Sequence, residues 1–184
     1  GKSLLIMTTF VMNPAKEGLR ERVGYFGTEN GYYFQKDDFD ISFVERSSTL
    51  GGIQENIVLQ ENWNVDKLDG NGKSGITLDA SKGQILWADI EWLGIGTVRM
   101  GFVIDGKFII CHKFHHANSI AQTYITTASL PLRYEITNKT ATASNSTLKQ
   151  ICSTVISEGG YELVGLQQAV GTPITLAKDL GPIG

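Results

Sequence analysis

Asp105-Gly106 stands between two dense hydrophobic runs, 97–104 and 107–114. A two-residue Asp-Gly loop between apolar runs marks a tight hairpin, because its type I′ turn needs positive φ at both central residues. A third run, 84–93, precedes them and is separated by Gly94-Ile95-Gly96. Three successive strands with such short connections must pair antiparallel. The segment 84–114 therefore reads as a β-meander, and the rest of the chain has to supply surfaces that cover it.

The remaining pattern is strand-like nearly throughout. The run 3–12 is rich in Thr, Ile, Val and Phe and ends at Asn13-Pro14. Short candidate strands at 22–26 and 32–35 flank Gly27 to Gly31, whose Asn30-Gly31 pair is a further turn signal. Along 40–46, alternation sets Ile41, Phe43 and Glu45 on one face and Ser42, Val44 and Arg46 on the other. Further strands are expected at 56–60, 122–126, 132–137, 148–157 and 161–166. The longest irregular segment, 62–83, has the length at which loops tend to be functional or self-packed. Many short antiparallel strands without an amphipathic helix predict an all-β antiparallel sandwich, in a jelly-roll, concanavalin-like arrangement. One domain is expected over 1–170. The stretch 171–184, with Pro173 and Pro182, reads as an extended tail or linker, and the chain as a piece of a longer protein.

Composition narrows the partners. With 184 residues, 41% hydrophobic and 19% charged, the chain can bury a core without a metal or disulfide staple. A net charge of −3 gives no electrostatic basis for binding nucleic acid or anionic lipid. No apolar run approaches the roughly 18 residues of a membrane span. Cys111 and Cys152 lie in apolar strand-like surroundings and read as buried free thiols, with a disulfide as the alternative.

Several residues invite chemistry. Alternation along 86–92 puts Trp87, Asp89 and Glu91 on one face, opposite Leu86, Ala88, Ile90 and Trp92. Laminarinase-like glucanases of sandwich fold carry Glu-x-Asp-x-x-Glu on such a strand. Here Trp87 and Trp92 occupy both outer positions, so Asp89 and Glu91 read as a solvated or Arg99-paired face, and no catalytic residue is assigned. Trp63 and Trp87 are candidates for stacking on a sugar ring, against the commoner role of tryptophan as core. Asp66, Asp69 and Asn71 offer oxygens to Ca²⁺ in a Gly-rich loop, but without the EF-hand spacing, and plain turn chemistry explains them equally. The three histidines cluster, with His112 and His116 on one face and His115 and Cys111 on the other. A zinc site would need a further ligand within reach. His115 and His116, with Tyr32 and Tyr33, are instead candidate interface residues. No cofactor motif is present.

Five segments carry a family resemblance: Arg22-Val-Gly-Tyr-Phe-Gly27, Trp63-Asn-Val-Asp-Lys-Leu-Asp-Gly-Asn-Gly-Lys-Ser-Gly-Ile-Thr-Leu-Asp79, Glu91-Trp-Leu-Gly-Ile-Gly-Thr-Val-Arg-Met-Gly-Phe-Val-Ile-Asp-Gly106, Leu130-Pro-Leu-Arg-Tyr-Glu-Ile136 and Ile151-Cys-Ser-Thr-Val-Ile-Ser-Glu-Gly-Gly160. They resemble virion structural proteins of marine bacteriophages, across about residues 4 to 165. The resemblance implies a location in the virion, a capsid, tail or fibre role, and partners that are further copies or other virion proteins. It supplies no catalytic residue. The other expectations are a carbohydrate-binding module for host attachment and, third, a glycan hydrolase.

Overall fold

The computed structural model describes residues 3–157, which form ten strands and one 3-10 turn. In chain order these are β1 (Leu4–Val11), β2 (Leu19–Phe26), β3 (Gly31–Asp37), β4 (Asp40–Ser47), β5 (Gln54–Leu59), β6 (Gln84–Ile90), β7 (Val98–Ile104), β8 (Lys107–Phe114), β9 (Leu132–Asn138) and β10 (Lys149–Ser157). The turn Gln60–Asn62 follows β5. Two five-stranded sheets pack face to face, in the orders β10-β1-β6-β7-β8 and β5-β4-β3-β2-β9. Every pairing is antiparallel. The chain is an all-β antiparallel sandwich.

The meander forms as its turn chemistry requires. Asp105 and Gly106 have φ of 51° and 74°, and Val103 pairs with Phe108 across the turn. Inward residues alternate along each strand: Ile6, Thr8 and Phe10 on β1, Leu86, Ala88 and Ile90 on β6, Met100 and Phe102 on β7. Opposite them, Val23, Tyr25, Tyr32, Phe34 and Phe43 complete one aromatic-rich core. Phe34 meets Phe102 edge-on at 5.2 Å between ring centroids, a favoured aromatic geometry.

A bulge between Met100 and Gly101 changes one expected facing. Strict alternation sends Cys111 and His112 to opposite faces. The extra residue lets both be buried, with Cys111 in the main core. Gly101 leaves space for this crossing, since a Cβ there would meet the Ile109 carbonyl oxygen at 1.8 Å.

Sheet β5-β4-β3-β2-β9 also buries a small cluster on its outer face: Phe26, Tyr33 and Val44. Guanidinium groups roof it. Arg46 lies 5.6 Å from the Phe26 ring and 5.2 Å from the Tyr33 ring, and Arg22 lies 5.2 Å from Tyr33. Glu55 accepts hydrogen bonds from Tyr33 Oη at 2.6 Å and Arg46 Nη2 at 2.6 Å, so the roof is neutralised as well as stacked.

Three strand expectations need adjustment. Residues 122–126 form no strand; they belong to an irregular loop between β8 and β9 that packs through Tyr124 and Ile125. β6 ends at Ile90, because Leu93 and Gly94 turn with φ of 42° and 78°. β2 begins at Leu19, three residues before Arg22. The strand expected at 161–166, the tail at 171–184 and the domain limit at 170 lie outside the described residues.

Candidate functional site

Glu45 interrupts the apolar inner face of β4. It follows Ile41 and Phe43 at a spacing of two, so its carboxylate enters the interior at one end of the sandwich. Tyr32 is its partner across the β3–β4 pairing, and the Tyr32 hydroxyl donates to Glu45 Oε1. The same oxygen lies 2.6 Å from His116 Nε2. His116 Nδ1 lies 2.5 Å from the Gly96 carbonyl oxygen, which can only accept. Both ring nitrogens thus face acceptors, the arrangement of an imidazolium. Burial works against that charge, but Glu45 and the Gly96 carbonyl outweigh it and hold the His116 pKa above its ordinary 6.5.

The tyrosines complete the cluster. Tyr124 stacks on His116 at 4.1 Å between ring centroids, and its hydroxyl donates to the Glu91 carbonyl at 3.3 Å. Burial pushes the Tyr32 and Tyr124 hydroxyls up, and the Glu45 charge adds to it, so both stay protonated donors. Asn30 ties the neighbouring walls together: its Nδ2 donates to Thr126 Oγ1 at 2.7 Å, and its Oδ1 accepts from the Thr126 and Ser48 amides.

Beside this cluster opens a cleft of about 390 Å³. Its walls are Glu45 and Ser47 of β4, Thr49 and Leu50 of the following turn, Gln54 at the start of β5, and 120–124 of the β8–β9 loop. Leu50 is 66% exposed at its mouth. Glu45, Tyr124 and the cleft were not found by sequence reasoning. A signal existed in the one carboxylate on an otherwise apolar strand face.

The tryptophans are structural. Trp63 is 3% exposed, stacked on Phe43 at 4.4 Å, and donates through Nε1 to the Val58 carbonyl. Trp87 is 5% exposed on the outer face of β6 and meets Phe108 edge-on at 5.5 Å. Neither offers a ring face to a sugar, which corrects the expectation of a stacking platform. Trp92 is half-buried against the core and packs edge-on to Tyr124. Asp89 pairs with Arg99 across β6 and β7, as expected. Glu91 lies beyond the end of β6 and accepts from the Thr97 amide at 3.1 Å.

Asp66, Asp69 and Asn71 lie in the segment between β5 and β6, but both carboxylates accept from amides of the loop itself. Asp66 accepts from the Leu68 amide at 2.9 Å and the Ser74 amide at 2.7 Å. Gly72 packs so closely that a Cβ would meet Asp66 Oδ1 at 2.2 Å. Asp69 accepts from the Asn71 amide at 2.8 Å. Among the described residues, no group of three or more His, Cys, Asp or Glu side chains is placed to hold a metal.

The interface candidates divide. Tyr32 and Tyr33 are wholly buried within the chain, one on Glu45 and one under Arg22 and Arg46, so neither can meet a neighbour. His116 is buried too, while His115 is exposed. The thiols are both free, but only Cys111 is buried; Cys152 is exposed on β10.

Like β5 at an edge of the other sheet, that strand is an exposed edge. β10 has a single described neighbour, β1, and is exposed on both faces. Ile151 is 64% exposed, Ile156 46% and Val155 41%, although Val155 sits opposite Ile6 on the inner face. Its only charge is Lys149 at one end. The far edge of the same sheet, β8, carries Lys107 and Lys113, and both edges are bulged, β10 at Ile151 and β8 at Cys111.

Among described residues, no helix is long and apolar enough to cross a membrane. Compared with known proteins, the chain matches no family model, no curated protein and no solved structure.

Proposed function

We propose that this chain is a non-enzymatic assembly module, a structural component of a bacteriophage particle that works by joining copies of itself through β10. The observation that carries the reading is the apolar β10 edge, which pairs with no second strand among the described residues. A sheet edge presents unpaired backbone donors and acceptors, and monomeric proteins blunt such edges with charges, proline or bulges turned outward. β10 is bulged at Ile151, but it has no proline, one charge at its end, and three apolar side chains that are exposed among the described residues. A second β10 laid antiparallel satisfies that edge and covers Ile151, Val155 and Ile156 in the same step. The isologous contact closes a dimer about a two-fold axis. The rigid sandwich and its roofed outer face suit a building block, since neither sheet has to rearrange to associate.

Sedimentation equilibrium tests this. The wild-type chain is expected to dimerise, and Ile151→Lys with Ile156→Lys to return it to a monomer of unchanged thermal stability. Both side chains are exposed, so the substitutions leave the core intact. A wild type that stays monomeric at high concentration, or a dimer indifferent to both lysines, removes β10 as the joint.

A further inference from the structure

We infer that the cleft beside Glu45 is a binding site for a neutral, hydroxyl-bearing ring of sugar size. At about 390 Å³ it falls in the range of small-molecule sites, roughly 300–1,000 Å³. Its wall chemistry selects the ligand class. Glu45 lines the cleft; its Oε1 is occupied by Tyr32 and His116, and Oε2, which neither of them uses, is left to accept from a ligand hydroxyl. Ser47 and Thr49 bring hydroxyls, held 2.9 Å apart, and Gln54 and Gln122 bring amides. The hydroxyls and amides exchange hydrogen bonds with vicinal hydroxyls in either direction, and the Glu45 carboxylate accepts them. Lys and Arg do not line the cleft, and the one cationic lining group, His116, is already paired with Glu45, so a phosphate or carboxylate finds no free counter-charge. His116 neutralises Glu45, which leaves little to draw a cation. Leu50 and Ile120 flank the polar groups as exposed apolar walls, suited to the C–H face of a ring.

The site is built before a ligand arrives. His116 fixes the Glu45 carboxylate, Tyr124 is clamped between His116 and the Glu91 carbonyl, and Asn30 pins the end of β4 to the β8–β9 loop. Preorganisation of this kind reduces the entropy lost on binding. On a particle component, such a cleft makes the module a receptor reader as well as a brick. The two roles use different surfaces, the cleft wall and β10.

The test is a titration of the ¹⁵N-labelled chain with glucose, galactose, mannose, N-acetylglucosamine, galacturonate and glucosamine. The expected result is a saturable shift of the Ser47, Leu50 and Gln122 amides with at least one neutral sugar. Galacturonate and glucosamine should bind at least about tenfold more weakly. Gln122→Ala and Leu50→Ser, both on exposed side chains, should weaken the neutral sugar about tenfold while leaving thermal stability and β10 dimerisation unchanged. Glu45→Gln should also weaken the neutral sugar, and it should lower stability as well, because His116 loses its charged partner. Absence of a shift with every sugar overturns the inference. So does a preference for galacturonate or glucosamine, or a shift that follows protein concentration instead of sugar, which would assign the cleft to contacts between copies. The Ile151→Lys variant separates the two readings, since it should bind the sugar as the wild type does.

Discussion

At the residue scale, two buried histidines answer to pH in opposite directions. His116 has a folded pKa above its ordinary 6.5, held there by Glu45 and the Gly96 carbonyl. Its contribution to stability is complete below about pH 6.5 and is lost as pH rises through the raised value. His112 is driven the other way, to about 4, by burial and by the nearby His115 charge. Its neutral ring contributes fully above about pH 6.5, and that contribution disappears as pH falls through about 4. Replacing His116 by Gln should therefore cost ~1–3 kcal/mol in mildly acidic solution and progressively less in alkaline solution. Urea unfolding of both proteins across pH measures this; a difference that stays flat with pH would mean the ring is neutral in the fold. Asp66 offers a second test. Its carboxylate holds two loop amides, which keep its pKa below the ordinary carboxylate value despite burial. Asp66→Ala should cost ~1.5–3 kcal/mol, because charged hydrogen bonds are lost and two donors are left without an acceptor. That part of the stability is present above about pH 4 and falls away with the Asp66 charge in acid.

At the element scale, strands were legible where turn chemistry bracketed them. Asp105-Gly106 and the alternation of 40–46 are local signals: the hairpin pairing implied by the turn is found, and the alternation puts Phe43 in the main core and Val44 in the outer cluster. The segment 122–126 misled because Tyr124 and Ile125 are as apolar as strand residues; they are buried as a loop plug, and period alone cannot separate the two. Trp63 and Trp87 show the limit from the other side, since which tryptophan is covered depends on partners distant in sequence, Phe43 and Phe108. The cleft was illegible for the same reason. Glu45 and His116 are 71 residues apart and meet only when β4 and the β8–β9 loop close on one end of the sandwich. β10 carries an element-scale prediction through its cysteine. Cys152 is exposed and Cys111 is buried, its thiol pushed up mainly by that burial. A thiol reagent should label one cysteine in the native chain and two in denaturant. Labelling of Cys152 should slow as protein concentration rises, if β10 joins copies, and should lose that dependence in Ile151→Lys. A rate independent of concentration in the wild type would place the joint elsewhere.

At the scale of the whole molecule, the segment between β5 and β6 decides whether the sandwich behaves as one unit. It has no strand of its own apart from the Asp69–Thr77 bridge, yet it closes one end of the core. Trp63 lies on Phe43, Leu68 is fully buried, and the amides of Val65 and Asp66 donate to the Cys111 carbonyl on the opposite sheet. The Met12 amide donates to the Ala80 carbonyl, which fastens the far end of the segment to β1. A loop bound to both sheets in this way cannot open without exposing Phe43. It should therefore unfold with the core. Trp63→Ala removes the largest ring in that contact and should cost ~3–5 kcal/mol, with one cooperative transition retained. Native-state hydrogen exchange gives the sharper measurement. The Leu78 amide, donated to the Leu68 carbonyl inside the segment, should exchange with the same free energy and denaturant dependence as amides of β6 and β7. Exchange of Leu78 at clearly lower free energy would make the segment a flap that opens by itself, and the core would then be finished by the two sheets alone.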